Sequence, residues 1–462
     1  MSCFEHDQSR RAFLKRSSAL GLAGVATPFV TSLGAIGEAA AATASDYKAL
    51  VCVFLYGGND YANTLPPYDQ ASYAAYAAAR QNIALNRDAL AATLLNPTTA
   101  LPGGRQYALA PNLAPLLPIF NAGKLAPILN VGTLVQPTTK AQYQQQSVKL
   151  PPKLFSHNDQ QSYFQASNPE GATSGWGGRL GDVFQNGNGA ASLTCINASG
   201  NAVYLTGRSA LQYSIGTGGP IALLSNSSTL FGSQTVASTL RTLMTSPPAN
   251  MLAGEHARVS KRALETYAQV TGALASAPNS AFPLFPGGNL SDQLRMVARM
   301  ISVSAELGAK RQVFFVSQGG HDLHDNLVAQ HPTLMATLGN ALKAFYDTTV
   351  QLGVSDRVTT FTGSDFGRTL QSNDDGSDHG WGSMHFVMGG AVNGRRFYGT
   401  PPAIGNGTAD DVGQGRLLPT TSVDQYAATL ASWFGVPTGE LTTVLPNMGN
   451  YNPSSWDLGF LG

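Results

Sequence analysis

The sequence contains, at residues 49–56, the continuous apolar run ALVCVFLY, which ends directly in GGND at residues 57–60. A run without polar alternation is typical of a strand buried on both faces of a sheet, and its loop then lies at the strand's carboxyl end. Further runs of this kind, each ending in glycine or small polar residues, occur at residues 125–131, 313–316 and 358–362. We therefore expect several buried strands whose loops share one edge of a sheet.

Helical patterns separate these runs. Residues 291–307 place Leu294, Val297 and Ile301 on one face, and residues 333–352 form a second long segment of this type. Strand, glycine loop and helix in alternation predict an α/β fold with a mostly parallel central sheet and helices on both faces. In such sheets, ligands bind beyond the carboxyl ends of the strands.

Two regions depart from this alternation. Residues 386–392, the pair NG at 393–394 and residues 395–398 predict an antiparallel edge hairpin, because both turn residues tolerate positive φ. Residues around 186–250 are rich in Gly, Ser, Asn and Thr, and predict an inserted loop and hairpin region that covers the domain. We expect residues 43–462 to form a single domain.

The amino terminus carries the pair Arg10-Arg11, then a modestly apolar stretch at residues 19–36 and small residues at 38–42. A spanning helix needs about 20 strongly apolar residues, and Pro28 interrupts this stretch. Residues 1–42 therefore predict a cleaved twin-arginine signal peptide, with the twin-arginine translocase as export partner. The mature chain would be periplasmic or secreted, without a stable transmembrane anchor.

The composition excludes some partners. The formal net charge is +1 and only 12% of residues are charged, so the chain lacks the basic surface of a nucleic-acid binder and a polybasic membrane patch. After removal of the signal, Cys52 and Cys195 remain. In an oxidising compartment they could form a disulfide, or Cys52 could simply belong to the core.

Histidine and aspartate occur together in three short segments, which are SHND at 156–159, HDLHD at 321–325 and SDH at 377–379. These nitrogen and oxygen donors suit Zn²⁺, Mn²⁺ or iron better than Ca²⁺. The sequence therefore predicts a divalent metal as cofactor.

Individual residues leave alternatives open. Asp60 could close an Asx turn or bind metal at a strand end. Asp322 and His324 are two residues apart and could converge from an extended loop, which favours a role as ligands. Asp365 could bind metal or pair with Arg368.

Several motifs, taken in order, resemble one family: FLxGGND at 54–60, SH at 156–157, GWxGR at 175–179, GGxDxH at 319–324, DFGRT at 365–369 and DHG at 378–380. They are similar to the exported domain-of-unknown-function family 1501. That family resembles, more distantly, the alkaline phosphatase and sulfatase superfamily, whose members hold one or two metals over a phosphate or sulfate ester. The resemblance implies an alkaline-phosphatase-like fold and the metal ligands Asp60, Asp322, His324, Asp365 and His379.

The sequence departs from the superfamily at Phe366, where a histidine usually follows the late aspartate. One nitrogen ligand would then be missing, or supplied by Asp378-His379. The favoured nucleophile is Ser156, which precedes an expected helix whose free amides would favour a bound oxyanion, although a helix cap is the alternative. Thr64 and Thr133 are the other candidates.

The resemblance implies a metal-dependent hydrolase of phosphate or sulfate esters, acting on a small molecule or an envelope polymer. Two alternatives belong to other classes. One is a non-catalytic envelope or secretion-associated protein that keeps the fold with a degenerate site, and the other is a sugar- or polymer-binding module.

Overall fold

The strands and helices are taken from a computed structural model, which describes residues 46–200, 202–223, 228–246 and 250–462. The strands are β1 (Lys48–Leu55), β2 (Leu125–Gly132), β3 (Cys195–Asn197), β4 (Gln212–Gly216), β5 (Gly219–Pro220), β6 (Arg311–Gln318), β7 (Val358–Ser364), β8 (Arg368–Ser372), β9 (Ser377–His379), β10 (Ser383–Gly389) and β11 (Thr421–Ser422). The α-helices are α1 (Tyr61–Thr64), α2 (Gln70–Arg80), α3 (Arg87–Leu90), α4 (Leu117–Asn121), α5 (Lys140–Gln145), α6 (His157–Ala166), α7 (Trp176–Phe184), α8 (Gln234–Thr245), α9 (Met251–Ala275), α10 (Asn289–Ser302), α11 (Leu327–Gln351), α12 (Val423–Phe434) and α13 (Leu441–Val444).

The central sheet has nine strands in the order β11-β2-β10-β7-β1-β6-β3-β4-β5. β1 lies between β6 and β7 and is parallel to both, with Val51 opposite Phe314 and Thr360. The strands from β7 to β4 run parallel to one another. The expected mostly parallel sheet is confirmed, and the apolar runs form β1, β2, β6 and β7.

The two faces of the sheet are covered by different helices. Val51 and Val53 of β1 share one buried cluster with Leu294 of α10 and Leu338 of α11. The ring of Phe54, on the opposite face because side chains alternate along a strand, lies 5.5 Å from that of Phe164 of α6. Helices on both faces are therefore confirmed, and they explain why β1 has no polar residue in its interior.

β10 is antiparallel, as expected from residues 386–392, but it lies inside the sheet between β2 and β7. Both of its edges are therefore occupied, and residues 395–398 cannot pair with it as a hairpin. They bond to β2 instead, where the amide of Arg395 donates to the carbonyl of Leu125. An antiparallel edge hairpin does exist, and it is formed by β4 and β5 at the end of the sheet.

The region around residues 186–250 differs from the expected cover. It contributes β3, β4 and β5, which extend the central sheet beyond β6. These short strands carry little of the apolar pattern that identified β1, so the sequence does not reveal that β3 pairs with β6 or that β4 and β5 follow it in the sheet.

Cys52 and Cys195 are buried free thiols, and the possible disulfide is wrong. Cys52 lies on β1 and Cys195 on β3, with β6 between them. Two strand spacings amount to about 9–10 Å, whereas a disulfide needs Cα atoms within about 7 Å.

The expected signal peptide, residues 1–42, and the domain boundary at its end lie outside the described residues. Within the parts of the chain that the structure describes, no helix has the length and apolar character needed to cross a membrane.

Candidate metal centre

Gly57, just after β1, contacts the loops that follow β6 and β7, and this close approach brings the residues of the site together. The amide of Gly57 donates to Asp365 Oδ2 at 3.2 Å. Its φ is +115°, and a Cβ there would lie 2.3 Å from the amide nitrogen of Asp322. Glycine is therefore required, because any side chain would push the loops of Asp322 and Asp365 apart.

Four side chains, which we call the His/Asp cluster, converge at this edge: His157 from the start of α6, Asp322 and His324 from the loop after β6, and His379 from the end of β9. The Nε2 atom of His379 lies 3.0 Å from the Nε2 atoms of both His157 and His324. Asp322 Oδ1 lies 3.0 Å from His324 Nε2 and 3.2 Å from His379 Nε2. His157 Nε2 is 3.3 Å from Asp322 Oδ2.

The second nitrogen of each imidazole has its own oxygen acceptor. The three Nδ1 contacts are His157 to Asp365 Oδ2 at 2.6 Å, His324 to Asp378 Oδ1 at 3.2 Å, and His379 to the carbonyl of Phe155 at 2.7 Å. In a neutral imidazole, an acceptor at Nδ1 favours the proton at that atom, so the neutral forms of these histidines would turn their Nε2 lone pairs towards one another. Facing lone pairs are unfavourable without a cation between them.

The donor set fits a transition metal. A tetrahedral ion with ligands at about 2.0–2.1 Å separates neighbouring ligand atoms by about 3.4 Å, close to the 3.0–3.3 Å between atoms of His157, Asp322 and His379. His157, Asp322 and His379 each offer one ligand atom within 4.8 Å of the others. His324 is not part of this group of three, but its Nε2 atom lies 3.0 Å from both His379 Nε2 and Asp322 Oδ1.

Charges around the cluster hold Asp322 ionised. Burial alone would raise the pKa of Asp322, but the hydrogen bond and charge of Arg368 lower it, with His157 and His324 adding to the effect. Arg368 Nη1 donates to Asp322 Oδ1 at 2.6 Å. The hydrogen bond to Asp365 raises the pKa of His157, whereas burial lowers that of His379.

Asp365 contacts the cluster from behind His157. Its Oδ2 accepts from His157, from Gln161 Nε2 at 2.9 Å and from Gly57. The alternative prediction, an ion pair between Asp365 and Arg368, is wrong: in the described part of the chain Arg368 pairs with Asp322. Asp365 is thus placed to orient His157, and its role as a direct ligand stays a prediction.

Asp60 has a different environment from the one expected. Its two carboxylate oxygens accept from Arg80 at 2.8 and 2.6 Å, and both side chains are buried. No hydrogen bond or ion pair joins Asp60 to the His/Asp cluster within the described residues. Its side chain caps no amide of α1. The structure shows Asp60 in a buried ion pair with Arg80, and its role as a metal ligand stays a prediction.

The three candidate nucleophiles also differ. Ser156 is half-buried and precedes α6, but its Oγ donates to Asp159 Oδ2 at 3.0 Å and does not cap the helix. Thr64 and Thr133 are buried. Their hydroxyls donate to Asn59 at 2.8 Å and to Gln160 at 2.5 Å. Ser156 alone is adjacent in sequence to a cluster residue.

Phe366 forms an apolar wall of the site. Its ring centroid lies 4.8 Å from that of His157 and 4.7 Å from that of His379. The sequence did not assign His157 as a ligand, although its segment SHND carries the same mixture of histidine and aspartate as the other two. In the structure, His157 places its Nε2 atom 3.0 Å from that of His379, beside Phe366.

These features define an α/β protein with a candidate metal centre at the carboxyl edge of a mostly parallel sheet. The chain belongs to the DUF1501 family of proteins of unknown function, whose model matches residues 47–443. The resemblance identified from the motifs is therefore confirmed. A comparison with curated proteins gave no match.

Three solved structures show similarity to the chain. The lipoteichoic acid synthase LtaP from Listeria monocytogenes has a TM-score of 0.33 and 10% identity, covering 86% of this chain and 74% of that one. Ps i-CgsB has a TM-score of 0.35 and 10% identity, with coverages of 88% and 78%. A protein of a Bacteroides thetaiotaomicron locus for glycosaminoglycan metabolism has a TM-score of 0.32 and 10% identity, with coverages of 85% and 73%.

Proposed function

We propose that the chain is a metal-dependent hydrolase of phosphate or sulfate esters. Its divalent metal, Zn²⁺, Mn²⁺ or Fe²⁺, is held by His157, Asp322 and His379, which leaves one tetrahedral position open for the ester. His324 contacts two of these ligands, Asp322 and His379. One observation carries the proposal: the histidines turn their Nε2 atoms towards one another and the Asp322 carboxylate, while each Nδ1 has an oxygen acceptor. Such outer acceptors are a regular feature of metal-bound histidine.

The exposure of the cluster favours catalysis over a purely structural metal. The side chain of Asp322 is 43% exposed, so solvent and substrate reach it, whereas structural metal sites are usually closed. When bound, the metal would polarise an ester oxygen and stabilise the charge that develops during transfer. Asp365 fixes the tautomer of His157, and Arg368 keeps Asp322 charged.

Ser156 is the proposed nucleophile. Its hydroxyl already donates to Asp159, and a nucleophile needs an acceptor of this kind for its proton. Attack on the phosphorus or sulfur of the ester would form a bond to Ser156 Oγ and break the bond to the ester's leaving oxygen. The hydroxyl proton would move to Asp159 and from there to the leaving alkoxide, which departs as the alcohol. Water would then release the phosphate or sulfate.

Metal analysis of protein purified from its native compartment tests the proposal. Asp322→Asn and His379→Ala should each weaken binding of Zn²⁺ or Mn²⁺ by more than about 100-fold, because each removes a direct ligand whereas loss of an outer partner alone costs about 10–100-fold. Both should also abolish hydrolysis of p-nitrophenyl phosphate and sulfate. Asp88→Asn, at an exposed position, is the control. Wild-type protein that binds no divalent metal would contradict the proposal.

A second candidate is a non-catalytic envelope or secretion-associated protein. It is favoured by Phe366 and by the hydroxyls of Ser156, Thr64 and Thr133, whose hydrogen bonds go to residues outside the His/Asp cluster. Tight metal binding without turnover of either ester would support it.

Export by the twin-arginine translocase, to the periplasm or beyond, is also proposed. It rests on Arg10 and Arg11, which the translocase should recognise as a pair and not merely as two positive charges. Replacing both with lysine should retain the chain inside the cell, as measured by fractionation. Export of the double-lysine form at the normal rate would contradict the assignment.

A further inference from the structure

Arg416 is fixed beside the His/Asp cluster by two contacts. Its Nε donates to the carbonyl of His379 at 2.8 Å. Its guanidinium lies 4.8 Å from the centroid of the Phe155 ring, a cation–π contact. The Phe155 carbonyl in turn accepts from His379 Nδ1. Arg416 therefore contacts both His379, a candidate metal ligand, and the residue that orients its imidazole.

The loop that carries Arg416 is itself well supported. Asp411 is buried, and its Oδ1 accepts from the amides of Gly413 at 2.7 Å and Gly415 at 2.8 Å. The amide of Arg416 donates to the carbonyl of Gly413 at 3.0 Å. These bonds close a tight turn immediately before Arg416, so its position is set by the backbone.

The terminal nitrogens of Arg416 have no hydrogen-bond or ion-pair partner within the described residues. The nearby acids are committed elsewhere, since Asp322 pairs with Arg368 and Asp378 contacts His324. The side chain is partly buried, but its terminal nitrogens are not among the buried atoms without a partner, so a ligand can reach them. A held guanidinium with free terminal donors suits the paired oxygens of a phosphate or sulfate group.

We propose that Arg416 binds the phosphate or sulfate group of the ester at the metal centre through two hydrogen bonds to its oxygens. The protein would thereby prefer tetrahedral anionic esters over neutral esters. This inference rests on the proposed function. A purely structural alternative is that Arg416 only supports Phe155 and, through it, His379. The alternatives differ because a structural residue would change metal affinity, whereas an oxyanion-binding residue would change anion affinity at constant metal affinity.

The test uses the full mature chain loaded with Zn²⁺ or Mn²⁺, with inorganic phosphate and sulfate as probes. Arg416→Gln should weaken binding of at least one of the two anions by 10-fold or more, measured by calorimetry or competitive inhibition, and should leave metal affinity within about twofold. Arg416→Lys should restore binding only partly, because a lysine offers no planar fork. Arg258→Gln, on the exposed surface of α9, is the matched control.

Added guanidinium gives a second measurement. It should restore part of the anion affinity of Arg416→Ala and have no effect on Arg258→Gln. A metal-loaded Arg416→Gln protein that binds phosphate and sulfate like the wild type would overturn the inference while leaving the proposed function intact. Failure of the wild type to bind metal would instead contradict the proposed function, and this inference with it.

Discussion

Asp365 Oδ2 lies 2.6 Å from His157 Nδ1, and this contact links the end of β7 to the first residue of α6. The carboxylate is fully buried, and its Oδ2 also accepts from Gln161 and Gly57, but its Oδ1 has no hydrogen-bond partner among the residues that the structure describes. Burying a carboxylate with one oxygen unpaired is costly unless a charged neighbour offsets the cost. The pair is therefore best explained as a support for His157 when that histidine binds a cation.

Asp365→Asn should lower the affinity for Zn²⁺ or Mn²⁺ by about 10–100-fold, the usual cost of losing an outer partner of a metal-bound histidine. The amide is a weaker acceptor for His157 Nδ1, and it can also present its NH₂ group to that atom. Calorimetric titration would measure the change. Asp374→Asn, at an exposed position, should have no effect. An affinity for Asp365→Asn equal to the wild type would show that the contact does not support the metal.

Gly57→Ala should destabilise the fold and weaken metal binding together. The added Cβ would lie 2.3 Å from the amide of Asp322, at a φ of +115° that non-glycine residues rarely adopt. We expect a loss of at least about 2 kcal/mol in the free energy of unfolding. Denaturant unfolding and metal titration would measure both effects. Gly218→Ala, where a Cβ meets nothing within 4 Å, should be nearly neutral. A Gly57→Ala protein with unchanged metal affinity would contradict this role.

The sequence predicts best the features that depend on local pattern. β1 is a continuous apolar run because both faces of the sheet are covered. The glycines at the ends of β1, β6 and β7 indicated the edge that carries Asp322 and Asp365. The position of β10 was not predictable, because its pairing with β2 and β7 depends on partners more than twenty residues away in sequence.

The site shows the same division. The composition of the three His/Asp segments predicted a metal-binding region, and the structure brings Asp322, His324 and His379 together. The pairing of Asp60 with Arg80, and of Asp322 with Arg368, depends on where long side chains reach after folding. The spacing of residues along the sequence does not show which side chains pair after folding. For this reason the sequence predicts Asp60 as a metal ligand and does not single out His157.

Asp424→Asn should alter the pH dependence of stability. Asp424 is buried on α12, and burial raises its pKa from 3.8 to about 6, although hydrogen bonds from Ser167 and Asn447 act in the opposite direction. Because the folded-state pKa is raised, the stabilisation from the protonated carboxyl is complete below pH 3.8 and is lost as the pH rises through about 6.

The asparagine variant avoids this loss. Its free energy of unfolding, relative to the wild type, should therefore increase by about 2 kcal/mol between pH 4 and pH 7. Denaturant unfolding of both proteins at the two pH values would measure the difference. The buried histidines titrate equally in both proteins, so they cancel in the comparison. A difference that is the same at both pH values would show that Asp424 does not titrate with a raised pKa.

Ser156→Ala separates the nucleophile from the metal site. Ser156 Oγ contacts Asp159 and none of the cluster side chains, so the variant should bind Zn²⁺ or Mn²⁺ like the wild type. If Ser156 attacks the ester, hydrolysis of p-nitrophenyl phosphate should fall by at least about 1,000-fold, because removal of a covalent nucleophile leaves only binding and electrostatic contributions. Asp159→Asn should produce a smaller loss, since it removes only the proton acceptor. Mass spectrometry of quenched wild-type reactions should detect a phosphoryl group on Ser156. Turnover by Ser156→Ala at the wild-type rate would instead require direct attack by water.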